Sequence, residues 1–483
     1  MISLSEDCIS GPFTLKYKKN FSRGGIFLKT RNEWVRKNVL REERRKNDRG
    51  IVDVIKIIRH FFKKMPEWIE EIKDPRHQSY ITYTQDDLLY MGLLKNMCSV
   101  ESMRQMEHMF NEETCIRTLS ILSGNEKLTE MPHSDTLNCY LERLSPEWLS
   151  ELRRKMVKSL IAGKTFTKAR LLGTYWRIIL DGTGLFYFKE RHCENCLRDV
   201  RKDENGKQVV RYYHKVLEAK LVLGDGFVIS LGTEFIENEK EDVAKQDCEL
   251  NAAKRLLARI KEEYGRLPVC IQADALYEAE PVMNICREYG WKYIFTHKDT
   301  RQCYVGEEYA ALGDEEKGIR RNIGKEKGTG KYYNGIEKIT GKTEVMNLYE
   351  YSYDDIGKDG TPKRVTFYWT TNIELTRENL VEMINAGRGR WQIENEGFNF
   401  QKNILYRIEH LNSKNPVAMK NHYLLTQIAD IIMQLYLHWN PMVKRLGQGI
   451  KNTSSRLLES FRRHTVTDED VSYIQRRTSV YLE

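Results

Sequence analysis

At Leu172 the spacing of apolar residues changes, and that change decides the architecture. Before it, apolar positions recur at helical intervals; after it they run in short blocks bounded by turn residues. YWRIILDGTG (175–184) reads as a buried strand ending in a turn. YYHKVLEAKLVL (212–223) and GFVISLGTEF (226–235) read as two strands joined by a tight turn at Gly224-Asp225. An amphipathic helix with Ala253, Leu256, Leu257, Ile260 and Tyr264 on one face follows. Then come a strand (268–274), a short helix (Glu278 to Glu288) and a strand (291–297). The order β-β-β-α-β-α-β predicts a mixed, three-layer α/β domain. From Lys298 to about Arg364 the chain is rich in Gly, Lys and Tyr and reads as a β-rich insertion; TFYWTTNIEL (366–375) returns to strand. A helical stretch from about Arg377 then carries Glu394 in its later part.

Helical signals flank this core. Thr84-Gln85-Asp86-Asp87 is a capping box, Ser134 or Asp135 caps a second helix, and Ser145 before Pro146 caps a third. A last helix is capped at Thr467. These boundaries predict a helical, basic N-terminal region (1–165), a core in two parts (166–297 and 366–410) around the insertion (298–365), and a helical C-terminal region (411–483). The most apolar stretch, Tyr423 to Trp439, is interrupted by Gln427, Asp430, Gln434 and His438, so no membrane span is expected. The first residues carry acids where a signal peptide needs bases, and the ten cysteines are scattered apart from one Cys-x-x-Cys. Both features fit a reducing cytoplasm. The net charge of +9 is concentrated: the first 50 residues hold 13 Lys and Arg against 6 Asp and Glu, with Trp34 among them. That pattern suits either a solvated helix face or an arm on nucleic acid.

Two acids occur in matching contexts. Asp181 and Asp274 each follow an apolar strand, 93 residues apart, and ligand sites of open α/β sheets lie beyond the carboxyl ends of strands. Glu394, 120 residues further on, lies on an apolar and aromatic helix face, where an acid needs a partner or a metal. Three carboxylates have a specific chemical use: two-metal cleavage of phosphodiesters needs hard oxygen ligands holding two Mg²⁺ about 3.5–4 Å apart. The plain alternative is two turn residues and a surface acid. Glu396 is a weaker rival for the third ligand, because two residues along an α-helix turns it away from Glu394.

IILDGTG around Asp181, CIQADALY around Asp274 and GRGRWQIENEGFNFQKN around Glu394, led in by FYWTTNIELTRENL, resemble the DDE transposases of bacterial insertion sequences. The nearest group carries a β-strand insertion between the second Asp and the Glu. The resemblance covers roughly residues 134 to 440. It implies an RNase H-like mixed sheet with helices on both faces. Asp181, Asp274 and Glu394 become catalytic ligands of two Mg²⁺ or Mn²⁺ ions. It further implies cleavage at transposon-end inverted repeats, strand transfer into target DNA, a homodimer in a synaptic complex, and a cytoplasmic, nucleoid-associated location. The family's last helix carries Tyr, Arg, Glu and Lys. Arg390 and Glu394 match as an i,i+4 pair, but Gly387 stands at the Tyr position and Gln401, with Lys402 beside it, at the Lys position. Arg388, Arg390, Lys402, Arg320 and Arg321 are the candidate DNA contacts. A nuclease acting on another DNA substrate and a non-catalytic DNA-binding descendant are the rival readings.

Cys193 and Cys196, with His192 and with His214 18 residues later, supply donors for a tetrahedral structural zinc; the alternative is a loop with two reduced thiols. Gly335 to Thr343 resembles a phosphate-binding loop but is one residue too long and precedes a strand, so ATP binding is not expected. Trp369 reads as a core tryptophan more readily than as a base-stacking one.

Overall fold

The computed structural model describes residues 49–476, apart from 203, 205, 225, 241–242, 244, 299–302, 341, 358–359 and 440–449. The basic arm up to residue 48, with Trp34, lies outside the described residues. The front of the chain is helical: α1 (Gly50–Phe61), α2 (Met65–Glu70), α3 (Gln85–Met97), α4 (Met103–Phe110), α5 (Glu113–Ser123), α6 (Ser134–Arg143) and α7 (Pro146–Ala162). The capping box forms as the sequence predicts: Thr84 accepts from the Asp87 amide and the Asp87 carboxylate accepts from the Thr84 amide at 2.9 Å. Pro146 opens α7 with Ser145 as its N-cap. The cap of α6 is His133, not Ser134 or Asp135, and its Nδ1 accepts from the Asp135 amide at 3.2 Å. Ser134 does not cap because its amide and hydroxyl both donate to Glu107.

The sheet follows: β1 (Trp176–Phe188), β2 (Leu197–Lys202), β3 (Gln208–Gly224), β4 (Phe227–Ile236), α8 (Glu249–Tyr264), β5 (Val269–Ala273), α9 (Glu280–Glu288), β6 (Lys292–Thr296), α10 (Cys303–Ala311), β7 (Gly318–Ile323), β8 (Gly328–Thr340), β9 (Lys342–Ile356) and β10 (Pro362–Thr371). β4, β3 and β1 pair antiparallel, while β5 and β6 run parallel to β1. This mixed order, with helices on both sides, is the arrangement the resemblance implies for the core.

Two features depart from the sequence reading. DGTG is not a turn. β1 runs through it to Phe188, because β3 keeps pairing with it from Asp181↔Glu218 to Gly184↔Lys215, with an irregularity before Tyr187. β2 was hidden in a charged segment, LRDVRK, whose side chains are mostly exposed. The sequence reading also left open how the β-rich insertion attaches: β10 pairs with β6 (Trp369↔Thr296) and β9, β8 and β7 extend the same ten-stranded sheet.

The expected single helix after residue 377 is also broken. It consists of α11 (Leu380–Arg388), a 3₁₀ turn (Gly389–Trp391) and a π-helix (Ile393–Ile404). The chain ends in α12 (Pro416–Trp439), α13 (Ile450–Arg463) and α14 (Asp468–Gln475), the last with the predicted Thr467 capping box. α12 lies between the front helices and the sheet, packing on α1, α3, α6, α7 and β4. Its polar positions are buried and paired. Lys220 of β3, fully buried, donates to Gln427 at 2.6 Å and lies 3.8 Å from Asp430 and 3.9 Å from Glu218. Gln401 of the π-helix donates to Gln427 at 3.0 Å and to Asp430 at 2.8 Å. A buried charge is tolerated only when it is paired and hydrogen-bonded, so this cluster fixes π-helix, sheet and α12 together. Among the described residues no helix is long and apolar enough to cross a membrane.

Candidate active site

Strand pairing brings the two aspartates side by side. β1 and β5 are in parallel register through Ile179↔Gln272, and two residues further on Asp181 stands level with Asp274. β5 ends at Ala273; the Asp274 carboxylate then accepts from the Leu276 amide at 2.8 Å and turns the chain. Asp181 accepts from the Gly182 amide at 2.9 Å. A Cβ on Gly182 would lie 2.6 Å from a Glu249 carboxylate oxygen, so any larger residue there must displace that carboxylate. Side chains alternate across a strand, which puts Glu249 behind β1, on the face opposite Asp181. Tyr277 holds Glu249 by a 2.7 Å hydrogen bond, and Lys215 pairs with it.

Glu394 comes from the first turn of the π-helix, half-exposed, with Arg390 Nη1 2.8 Å from its Oε1. Burial raises the Asp181 carboxyl to about 7; Arg390 pulls it back down, and the charges of Asp274 and Glu394 push it further up. These mutual effects gather the three predicted acids and Arg390 into one site. The oxygens of the three acids are not all within 4.8 Å of one another; among the described residues only Cys193, Cys196 and His214 form such a group. Hard carboxylates sharing a half-buried site are the donor set a divalent cation requires, and Asp181, held back from ionising by burial and its two acidic neighbours, would be relieved by one.

The remaining candidates separate. Glu396 is half-buried, and its Cγ lies beside the β3–β4 turn at Gly226. Gln401, seven residues after Glu394, is fully buried in the Lys220 cluster. The i→i+5 winding of a π-helix turns less per residue than an α-helix, so the two no longer share a face. Lys402 pairs with Glu409 at 2.7 Å. Arg388 lies over the rings of Tyr351 and Tyr353 and contacts Glu326 at 3.4 Å. Arg320 donates to the Arg377 carbonyl at 2.8 Å, bracing β7 against the approach to α11, whereas Arg321 is exposed. Gly387 cannot be a tyrosine: its Cβ would lie 2.6 Å from the Trp369 indole, which is buried and stacked on Tyr349. Sequence reasoning missed Trp391, 55% exposed and next to Arg390. Its signal was the run GRGRW, a large aromatic set among glycines and arginines.

The cysteine and histidine candidates also converge. Cys193 Sγ lies 3.6 Å from Cys196 Sγ, and each sulfur lies 3.5 Å from His214 Nε2. His192 stands beside them, its Nε2 2.8 Å from the Lys414 carbonyl.

The family model of the transposase DDE domain matches residues 228–429. The matched span includes Asp274 and Glu394 and starts after Asp181. The match spans less than half of the chain. No curated protein matches the sequence. Among solved structures, a piggyBac transposase synaptic complex with hairpin DNA is similar over 88% of this chain and 82% of that chain, at 11% identity and a TM-score of 0.38. A likeness that weak carries no argument here.

Proposed function

We propose that the chain is a DDE transposase of the bacterial insertion-sequence type, cutting phosphodiester bonds at its element's inverted repeats and joining the freed ends to target DNA. The observation that carries this reading is the convergence of Asp181, Asp274 and Glu394, two of them within the segment matching the transposase DDE domain. Asp181, Asp274 and Glu394 would hold two Mg²⁺ or Mn²⁺ ions, which when bound supply an activated water or 3′-hydroxyl and a stabilised leaving oxygen. Asp181 and Asp274, level on adjacent strands, form the rigid side of the site. Glu394 forms the adjustable side: its bond to Arg390 must loosen for its carboxylate to turn toward an ion. Arg390 is then free to face a phosphate. Exposed Arg321 and Trp391 are suited to backbone contact and base stacking. Pairing two ends calls for a homodimer, and the substrate for a nucleoid location.

The test is a cleavage assay with purified protein on DNA flanking its own gene, with Mg²⁺. Nicks at inverted-repeat boundaries, followed by end joining into a second DNA, are the expected outcome. Cleavage elsewhere without joining would favour the nuclease reading. Binding without cleavage would favour the non-catalytic one.

A further inference from the structure

We propose that Cys193, Cys196, His214 and His192 bind one structural zinc ion, which clasps the β1–β2 connection onto β3. The argument starts from distances. At a Zn–S bond of about 2.3 Å and a Zn–N bond of about 2.0–2.1 Å, a tetrahedron has S–S edges of about 3.8 Å and S–N edges of about 3.6 Å. The observed edges are 3.6 Å between the sulfurs and 3.5 Å from each sulfur to His214 Nε2. Three donors drawn from two separate segments, 18 residues apart at the nearest, already make one face of that tetrahedron. The donor chemistry, two thiolates with imidazole, favours zinc over magnesium or calcium.

The fourth donor is His192, whose nitrogens lie outside the close group of Cys193, Cys196 and His214, so its ring must turn inward to ligate. Its Nε2 lies 2.8 Å from the Lys414 carbonyl, and its ring centroid is 6.4 Å from that of His214. A ligating histidine usually donates its second ring N–H to a carbonyl or carboxylate, which fixes the tautomer. Nε2–H donating to Lys414 leaves Nδ1 as the lone-pair nitrogen. Phe188, stacked on the His192 ring at 4.5 Å, sets the plane of the imidazole.

The surroundings are built for a fixed loop. The Cys193 amide donates to Cys196 Sγ at 3.4 Å, which fixes the turn between the two cysteines. Asn238, after β4, donates from its amide to the Asn195 carbonyl at 3.2 Å and from its side chain to the Cys196 carbonyl at 3.0 Å. The place in the sheet explains the need. β3 pairs with β2 up to Tyr213 and with β4 from Lys215, so His214 occupies the gap where its neighbour changes. Zinc there would join β1, β3 and the segment leading into α12. Phe188 is seven residues beyond Asp181 along β1, roughly 23 Å at 3.3 Å per residue. The site is therefore structural and separate from the acids. Binding releases the two thiol protons to solvent, and no oxidation is involved.

The test uses the full chain, purified without chelator and analysed for metal. About one zinc per chain is expected. After exchange with Co²⁺, the absorption of a tetrahedral, thiolate-ligated ion is expected. Stripping zinc should lower the melting temperature by about 5 °C or more. Cys193→Ser and Cys196→Ser should each abolish zinc retention, and His192→Ala should weaken it about 10–100-fold. If either serine variant fails to fold, the wild-type metal content and Co²⁺ spectrum still decide. Wild-type protein that takes up no zinc from zinc-replete buffer would overturn the proposal, as would an oxidised Cys193–Cys196 pair or zinc retained by both serine variants. Unchanged affinity in His192→Ala would remove His192 from the ligand set.

Discussion

The acid site and the cysteine–histidine site are both donor clusters, but they are held in opposite ways. The sulfurs and the imidazole already sit at ligation distance, in a loop tied down by Asn238. The three carboxylates share a site without closing on it, and one is held by Arg390. The difference suits the roles proposed for the two sites. A structural ion contributes to folding and wants its donors gathered beforehand. A catalytic pair of ions must accept substrate oxygens as well, so its ligands keep room between them.

The sharpest way to break this contrast is through the scaffold of the acid site. Lys220→Met would leave Asp430 buried without its cation, and should destabilise the fold by about 3–5 kcal/mol in a denaturant melt. The zinc content of the protein that remains folded should be unchanged; a loss of zinc would mean that the two sites are not independent. A smaller effect is expected from Gly182→Ala. The new methyl meets the Glu249 carboxylate, and moving it should cost about 1–3 kcal/mol. Restoring stability with Glu249→Ala in the same chain would locate the clash.

The smallest effect has the opposite sign. Asp181 has its folded value raised from 3.8 to about 7 by burial, by Asp274 and by Glu394, against the opposing pull of Arg390. A raised acid favours the protonated fold. Its cost is absent below the unfolded value, grows as pH rises from about 4 to about 7, and is constant above. Asp181→Asn should therefore stabilise the magnesium-free protein by about 1–2 kcal/mol at pH 8, the gain fading toward pH 4. Melts across that range check it, and a gain that grew on acidification would contradict the assignment.

Much of the core was legible because its signals are local. The apolar blocks YYHKVLEAKLVL and GFVISLGTEF around a tight turn marked two strands, and the capping boxes at Thr84 and Thr467 marked helix starts. What escaped depended on distant partners. DGTG looked like a turn, and remains in β1 only because β3 pairs past it. LRDVRK carries no strand signal of its own, and is a strand because β3 is long enough to hold it. At the candidate site, the three acids stood out by type and context, and the structure gathers them. The burial of Gln401 was not legible, because the segment is wound as a π-helix around the buried Lys220 cluster rather than as an α-helix. Gly387 had no local explanation; Trp369, 18 residues earlier, supplies it.

The central claim is that Asp181, Asp274 and Glu394 act as one catalytic unit. The direct measurement is Mg²⁺-dependent cleavage of the gene's flanking DNA by wild type, Asp181→Asn, Asp274→Asn and Glu394→Gln, with DNA binding measured in parallel. Each variant should lose about 10³-fold or more in cleavage rate, on the order of 4 kcal/mol in the barrier, while binding stays near wild type. Any one of the three cleaving at close to the wild-type rate would contradict it.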